Sequence, residues 1–324
     1  MDYFYPKDGT GVLPKLLNDK FFADGGKIAF NTRIVSVIPA ENKIIDSNGK
    51  NYLFDHLIWA ADLKSLYRII DTSKLDIETQ SAIKEESSKI LAAKGAESSF
   101  ITFLGIDRPL SYFKERGGEH LFYTASRQGL GDTNHKELQN LIDNFDNLPK
   151  PEIIDWLEKF CRLNTYEVSI PALRDPSLAP EGQSGIMISC LFDYALVEKI
   201  NNAGWHDEFK EKMEDCIVKV FSDSIYEDIE KDILFKFSST PLTINRATGS
   251  SEGAITGWSF ETELPVEYKL KDIPKSVLTS IPGVFKAGQW AYVPAGVPVA
   301  MLTGWHASQE IIKKRQKIKF SNFK

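Results

Sequence analysis

The residues whose types and spacing favour chemistry lie in the segment 284–312. An apolar run, VFKA, ends at Gly288, and a loop rich in turn residues leads to Gly296. Pro298 then opens a pattern typical of a helix, because proline is well tolerated in the first helical turn. A strand, a glycine loop and a helix N-terminus in this order bring together unpaired N–H groups and the positive end of a helix dipole. The segment is therefore predicted to hold a negatively charged or electron-rich group.

Small residues recur along this predicted helix with the spacing i, i+4, i+7 and i+8. They are Ala300, Gly304, Ala307 and Ser308. A helix face with so little side-chain bulk would let another backbone, or a flat ligand, approach closely. Tight packing of the helix on a sheet without any ligand explains the same spacing. Both interpretations stay open at this point.

Other residues that could do chemistry form no recognisable site. The five histidines have no metal-ligand spacing, and no Ser/His/Asp arrangement stands out. Cys161, Cys190 and Cys216 lie far apart without a CxxC motif, so we predict no metal site and expect buried free thiols. Trp305 and His306 are of interest only because they lie on the helix after the glycine loop. The catalytic residues are therefore unknown.

Composition indicates an ordinary globular protein. The chain has 324 residues, of which 42% are hydrophobic and 26% charged, enough for two domains or one domain with a large insertion. A net charge of −6 argues against a nucleic-acid partner. We find no long apolar run and no signal-peptide pattern, so a cytoplasmic location is expected. The basic tail, IIKKRQKIK, suits a solvated helix end and allows at most peripheral membrane contact.

Hydrophobic spacing predicts an α/β fold of the mixed α+β kind, with a mixed sheet in the middle third. Asn48–Gly49 is predicted to turn a hairpin. The predicted helices cover about 12–24, 63–88, 151–162, 205–229 and 298–312. The predicted strands cover 28–30, 34–37, 57–61, 97–107, 120–126, 166–172, 185–194 and 284–287. The segment DILFKFSSTPLTINR, 232–246, is predicted to be a strand that runs into a loop.

Five stretches of the chain match a known family in the correct order. They are YPKDGTGVLPKLL, GGKIAFNTRIVSVI with FDHLIWAAD, VSIPALRDPSLAPEGQSGIMI, STPLTINRATGSSEGAITGW, and GVFKAGQWAYVPAGVPVAMLTGWHAS. Through them the chain resembles the carboxyl-terminal two-thirds of FAD-dependent oxidoreductases related to phytoene desaturase and carotenoid isomerase, in the amine oxidase-like superfamily. The resemblance implies FAD as cofactor and a hydrophobic, isoprenoid or polyene substrate. It also implies an incomplete Rossmann-like FAD-binding domain from 1–64 and 276–324, and a substrate-binding domain with a β-sheet and helices over 65–275.

The resemblance further implies positions that bind the cofactor. They are Ile34 by the adenine, Ala60 and Ala61 at a strand end that approaches the cofactor, Gly288 and Gln289 by the ribityl and pyrophosphate groups, and Gly296, Val297 and Pro298 by the isoalloxazine ring. The superfamily often has an acidic residue where this chain has Gln289. A neutral amide can still form a hydrogen bond with a hydroxyl group, so Gln289 stays among the positions expected to bind the cofactor.

A second departure concerns the glycine motif. Enzymes of this kind begin with a βαβ unit carrying GxGxxG, and this motif does not occur in the 324 residues. The nearest string, GLGDTN at 129–134, lacks the third glycine and the flanking strand and helix, so it is predicted to be a loop. The expectation is a truncated or split product, or a chain whose GxGxxG unit is supplied by a separate chain.

Three functions remain open from the sequence. The first is an FAD-dependent desaturase or isomerase, and the second is a non-catalytic module that binds an apolar ligand or a partner and has lost FAD. The third is an inactive remnant. The nucleotide sequence immediately upstream discriminates between them, since an open frame encoding GxGxxG supports the flavoenzyme.

We predict that these 324 residues alone bind FAD weakly. The pyrophosphate charges would lack the amides of the glycine loop, and charge-assisted hydrogen bonds contribute about 1.5–3 kcal/mol each. At about 1.4 kcal/mol per factor of ten, losing several weakens binding by orders of magnitude. Purification with excess FAD and an absorbance scan, with and without an added GxGxxG segment, measures this. Stoichiometric, tightly held flavin on the chain alone would contradict the prediction.

Overall fold

The computed structural model describes residues 5–129 and 135–321, which form helices and several small sheets and confirm the α/β fold class. The predicted loop at 129–134 lies almost entirely outside these residues. The helices are α1 (Val12–Ala23), α2 (Leu63–Ile69), α3 (Ile77–Ala92), α4 (Leu110–Lys114), α5 (His135–Asp143), α6 (Lys150–Leu163), α7 (Tyr194–Asn202), α8 (His206–Ser222), α9 (Pro241–Thr248), α10 (Ile273–Ser276) and α11 (Val297–Ser321). The strands are β1 (Ile34–Ile38), β2 (Lys43–Asp46), β3 (Asn51–Leu53), β4 (Leu57–Trp59), β5 (Ser98–Ile106), β6 (His120–Thr124), β7 (Thr165–Ser169), β8 (Ser184–Phe192), β9 (Ile233–Ser239) and β10 (Val284–Lys286).

The chain forms two compact units, each built from two separate segments. The first unit contains Met1–Ile28 and Ser98–Thr243, and the second contains Ala29–Glu97 and Ile244–Lys324. Every predicted cofactor-binding residue falls in the second unit. The functional division of the chain into 1–64 and 276–324 for FAD and 65–275 for substrate stays a prediction.

The first unit is organised around a five-stranded sheet with the order β6-β7-β8-β5-β9. A mixed sheet was the expectation here, but the described pairings are antiparallel. The reason is visible in β8, where buried and partly exposed residues alternate along most of the strand. Strands that bury a single face suit antiparallel sheets, whereas parallel strands are normally covered on both faces.

Aromatic side chains form much of the core between this sheet and helices α6 and α8. The ring of Phe100 lies 5.8 Å from that of Phe209 and 6.3 Å from that of Phe192, centroid to centroid. On the opposite face of the sheet Phe103 stacks on Phe237, with centroids 4.8 Å apart. The helical face is therefore the buried one, and the other face remains partly exposed.

The second unit contains two small sheets. One is the antiparallel meander β1-β2-β3, and the other is the parallel pair β10-β4. Trp59, Val284, Trp258 and neighbouring apolar residues form its main core. Lys286 is buried in β10, where its ammonium group lies 3.6 Å from the Glu86 carboxylate. Burial lowers the pKa of Lys286, and Glu86 opposes this by favouring the charged form.

Most elements that the spacing predicts are present, but three expectations are wrong. Residues 28–30 form no strand, because the chain turns at Asn31, whose φ is 52°. The segment 63–88 is not one helix, since Asp76 caps a new helix, α3, by accepting a hydrogen bond from the Thr79 N–H. The expected loop after β9 is helix α9, which begins at Pro241.

Adjacent residues of β8 test the assignment of the two sheet faces. Phe192 is 3% exposed and Leu191 is 58% exposed. We expect Phe192→Ala to lower the free energy of unfolding by about 3–5 kcal/mol, because it leaves a cavity among aromatic rings. Leu191→Ala is expected to change it by about 0.5 kcal/mol or less. Urea denaturation followed by circular dichroism measures both, and equal losses would contradict the burial pattern.

Candidate functional site

The candidate site begins where β4 and β10 end. The two strands pair in parallel with Leu57 opposite Val284 and Trp59 opposite Lys286, and the Ala287 N–H donates to the Trp59 carbonyl at 2.9 Å. Because parallel strands run in the same direction, the segments that follow them leave the sheet at the same edge. The structure therefore brings Ala60 and Ala61 beside the loop that begins after Ala287. Ala60 and Ala61 are exposed at this edge.

Gly288 is held between the two strand ends and helix α11. Its φ is 87°, a conformation that favours glycine, and an added Cβ would lie 3.4 Å from the Ala60 carbonyl oxygen. Its N–H donates to Thr303 Oγ1 at 2.9 Å, and Thr303 is completely buried on α11. Thr303 has no distinctive sequence signal, because its role depends on a contact with a residue 15 positions away.

Helix α11 follows the loop that leaves this edge. The Ala300 N–H donates to the Gly296 carbonyl at 2.8 Å, so Gly296 immediately precedes the helix. The first turn leaves the N–H group of Val297 without an acceptor inside the helix, and Pro298 has no backbone N–H group. Gly296, Val297 and Pro298 are exposed. This end of α11 can therefore receive an electron-rich group.

The small-residue face of α11 divides into a packed part and an open part. Ala307 is completely buried against Val277 and Phe285. Apart from the adjacent residues and the nearby backbone of α11 itself, a Cβ added at Gly304 or at Gly296 would meet no described atom within 4 Å. Packing within the described chain therefore explains Ala307 but not the two glycines, which leave room beside the helix.

Gln289 is directed toward a neighbouring loop of the same unit. Its side-chain Nε2 donates to the Ala254 carbonyl at 3.1 Å and to Ser250 Oγ at 3.3 Å. A carboxylate at this position could not donate to a carbonyl group, which gives a physical reason for glutamine where the superfamily often has an acidic residue. Backbone packing is close here too, because a Cβ at Gly257 would lie 2.3 Å from the Gln289 carbonyl oxygen.

The loop that receives Gln289 is fixed to the end of β4 by charged groups. Asp62 Oδ2 accepts a hydrogen bond from the Ser251 N–H at 2.7 Å, and Asp62 also caps α2 through the Ser65 N–H. The buried Lys64 ammonium group pairs with Glu252 at 2.6 Å. Asp62 follows directly after the strand predicted at 57–61, whereas Lys64 and Glu252 have no such position in the sequence pattern. Their link spans 188 residues, so local spacing contains no signal for it.

Ile34 lies on β1, opposite Asp46 of β2. Its side chain is half-buried and packs against the core that also contains Trp59 and Val284. The other edge of β1 is bridged only at Val37, to Ile70, within the described residues. The structure thus places Ile34 in the same unit as the other predicted residues, and its contact with adenine stays a prediction.

A cavity of about 330 Å³ borders the loop before α11. Glu97, Glu261, Val293 and Pro294 are among the residues that line it. The Glu261 carboxylate is paired with the Lys94 ammonium group at 2.8 Å, so Glu97 is the acidic residue whose charge disfavours an anionic group such as pyrophosphate there.

In 5–129 and 135–321, no cluster of His, Cys, Asp or Glu side chains is arranged to hold a metal ion. The same parts of the chain contain no helix with the length and apolar character needed to cross a membrane.

We expect Thr303→Val to destabilise the second unit by about 1–3 kcal/mol, because the isosteric change leaves the Gly288 N–H without its buried acceptor. Thr303→Ser keeps the hydroxyl group and serves as the matched control. Chemical denaturation measures stability, and hydrogen exchange of the Gly288 amide reports the contact directly. Unchanged exchange in Thr303→Val would show that this hydrogen bond does not hold the loop.

Known proteins resemble this chain in sequence and in fold. The family model described as flavin containing amine oxidoreductase matches residues 2–312. A 4,4'-diapophytoene desaturase (4,4'-diaponeurosporene-forming) from Staphylococcus aureus (strain MRSA252) is 26% identical over 148 residues, which are 45% of this chain and 28% of that protein. The crystal structure of an oxidoreductase from Methanosarcina mazei matches with a TM-score of 0.56 at 15% identity, over 94% of this chain and 55% of that one.

The chain thus spans little more than half the length of that solved structure and 28% of the desaturase. The structural match shows the fold, and the family model covers nearly all of the chain. The protein therefore belongs to the family of flavin containing amine oxidoreductases, and FAD is its expected cofactor.

Proposed function

We propose that this protein is an FAD-dependent oxidoreductase of the phytoene desaturase and carotenoid isomerase type, which acts on a hydrophobic isoprenoid or polyene substrate. The observation that carries the proposal is the arrangement of the second unit. The small residues at the ends of β4 and β10 lie at one sheet edge, together with a loop that Thr303 ties to α11. The match to a desaturase sequence supports the substrate class.

The residues at this edge fit a flavin. Ala60, Ala61 and Gly288 present little bulk, and Gly296 leaves open space beside the first turn of α11. The positive end of the helix dipole there would stabilise electron density on a bound ring. When bound, FAD supplies the capacity to accept or return a hydride, so this chain's residues need only bind, orient and shield the reacting groups.

An apolar stripe on α11 supports a hydrophobic substrate. Val297, Met301 and Trp305 recur every four residues and are 63%, 53% and 56% exposed. Residues with this spacing lie on one side of a helix. Exposed large apolar residues that form a continuous patch generally mark a contact surface. Their position next to Gly296 would place an apolar substrate close to the flavin.

The open edge of β4 supports a role for a βαβ unit carrying GxGxxG, in the same polypeptide or in a separate chain. The Leu57 N–H and the Trp59 carbonyl group are used by the segment around β10, so by alternation the backbone groups of Ile58 point to the other edge. Among the described residues no strand pairs with that edge. A parallel strand added there would satisfy these groups and bring its glycine loop to the same sheet edge.

A second candidate function is a non-catalytic module that binds an apolar ligand. It is favoured by Gln289, whose amide already donates to Ser250 and Ala254 and so is not free to donate to a cofactor. The apolar stripe on α11 would serve such a module equally well. The two candidates differ in whether bound ligand is chemically changed.

The proposed activity is tested with the chain produced together with a βαβ unit carrying GxGxxG, loaded with FAD and given an acyclic polyene in lipid vesicles. Desaturation removes two hydrogen atoms for each new double bond and shifts the polyene absorbance to longer wavelength. Isomerisation leaves the mass unchanged but changes retention in chromatography. Polyene that binds and is recovered unchanged, with no flavin retained, would support the non-catalytic module instead.

The position of the flavin is tested with Gly296→Leu. Apart from the residues adjacent to Gly296, no described atom lies within 4 Å of the added Cβ, so the thermal midpoint should be unchanged. The larger side chain would fill the space proposed for the isoalloxazine ring, so FAD affinity should fall by at least a factor of ten, about 1.4 kcal/mol. Ser308→Leu adds the same side chain further along α11 and should leave affinity unchanged. If both variants bind FAD with equal affinity, the flavin does not bind at this end of the helix.

A further inference from the structure

Helix α1 of the first unit contributes no residue to a core. None of its residues is buried, although five large apolar side chains are exposed on it, whereas α8 buries seven residues. Four of the five follow the spacing i, i+3, i+4 and i+8, so they lie on one side of the helix. They are Leu13, Leu16, Leu17 and Phe21, each between 45% and 58% exposed. These four residues are the apolar face of α1.

The start of α1 is anchored, but the helix itself is not supported. The loop before it is held by the Asp8 N–H, which donates to Asp175 Oδ2 at 3.0 Å. No side chain caps the helix at Gly11, and no acidic residue lies in its first turn. A helix of 12 residues is marginal in water, because most helical stability in proteins comes from packing of an apolar face. The apolar face of α1 therefore needs a partner that covers it.

The charges on α1 favour a protein partner over a lipid surface. Lys15 lies 3.7 Å from Asp19. Lys20 pairs with Asp24 in the same way, one turn further along. Lysines paired within the helix leave no excess of positive charge to attract anionic lipids, which is the usual charge pattern of helices that lie on membranes. An apolar face bordered by paired charges resembles the core and rim of a protein interface.

The partner must be larger than a second α1. The helix is about 18 Å long at about 1.5 Å per residue. Four half-exposed side chains from each of two copies fall short of the roughly 1,200–2,000 Å² that a stable protein interface buries. The family fold supplies a larger partner, since this chain matches the Methanosarcina mazei oxidoreductase over 94% of its own length but only 55% of that protein. That fold thus contains a substantial part that these 324 residues do not provide.

We infer that the apolar face of α1 is the docking surface for the polypeptide that carries the GxGxxG βαβ unit. The choice of this partner rests on the proposed function. The surface is separate from the open edge of β4, because it uses side chains of the first unit and involves no added strand. Leu16 and Leu17, in the middle of α1, would be covered most completely. The helix would then become stable only in the assembly.

The test is hydrogen–deuterium exchange of residues 12–23, with and without the GxGxxG polypeptide encoded immediately upstream of this chain. The chain alone should show little protection in α1, and assembly should slow exchange there about tenfold or more. Assembly that leaves α1 unchanged would overturn the inference, as would the absence of such a polypeptide or of any assembly with it. Protection that rises with the concentration of the chain alone would identify a second copy instead. Protection by vesicles of phosphatidylcholine and phosphatidylglycerol would identify a lipid surface instead.

The apolar face itself is tested with Leu16→Glu. Because Leu16 is exposed, the thermal midpoint of the chain alone should be unchanged. The Kd for the polypeptide should rise about tenfold or more, since docking would bury an unpaired carboxylate. Asn18→Glu adds the same charge on the polar side of α1 and should change neither quantity. Equal Kd values for the two variants would overturn the inference.

Flavin binding separates a failure of this inference from a failure of the proposed function. Saturating polypeptide should restore full FAD binding to Leu16→Glu, because α1 would hold the partner and not the cofactor. An assembly that protects α1 but retains no FAD would contradict the proposed function and support the docking surface. An assembly that retains FAD with α1 unprotected would overturn the docking surface alone.

Discussion

Parallel pairing of β4 with β10 is the constraint on which the second unit depends. Each strand has three residues, too few to be stable as an isolated pair. The pair persists because Trp59 and Val284 lie in a shared apolar core and because the Ala287 N–H and Trp59 carbonyl extend the pairing beyond the strands. The parallel direction places both strand ends at one edge, and the candidate flavin site follows from that geometry.

Buried polar contacts then fix the loops at this edge. Thr303 accepts from Gly288, Asp62 accepts from Ser251, and Lys64 pairs with Glu252. Each is buried or partly buried, where an unmade hydrogen bond is costly. A rigid edge is useful for a flavoprotein, because the cofactor performs the chemistry and the protein must position it. The polar contacts are therefore as important to the site as the residues that would touch the ligand.

The sequence predicted the features that depend on local spacing. The apolar spacing of α8, the turn at Asn48–Gly49 and the order of strand, glycine loop and helix around Gly288 all appear in the structure. Long-range contacts were not predictable in the same way. Thr303 looks like any helical threonine until Gly288 is seen to donate to it, and Glu252 looks like a surface charge until Lys64 is found beside it.

Family resemblance supplied what spacing could not, namely the cofactor and the positions Ile34, Ala60 and Gln289. The structure adds a physical reason for one departure, since Gln289 donates to a carbonyl group that an acidic side chain would repel. The structure also shows that the small residues of α11 lie in different environments. Ala307 is small because it is buried, whereas Gly304 borders open space.

Hydrogen–deuterium exchange of the protein with and without saturating FAD tests whether the flavin binds at the paired ends of β4 and β10. Binding there should slow exchange in two separate segments, 60–63 after β4 and 287–299 through the start of α11. Protection confined to other parts of the chain, with these two segments unchanged, would contradict the assignment of the flavin site to the paired ends of β4 and β10.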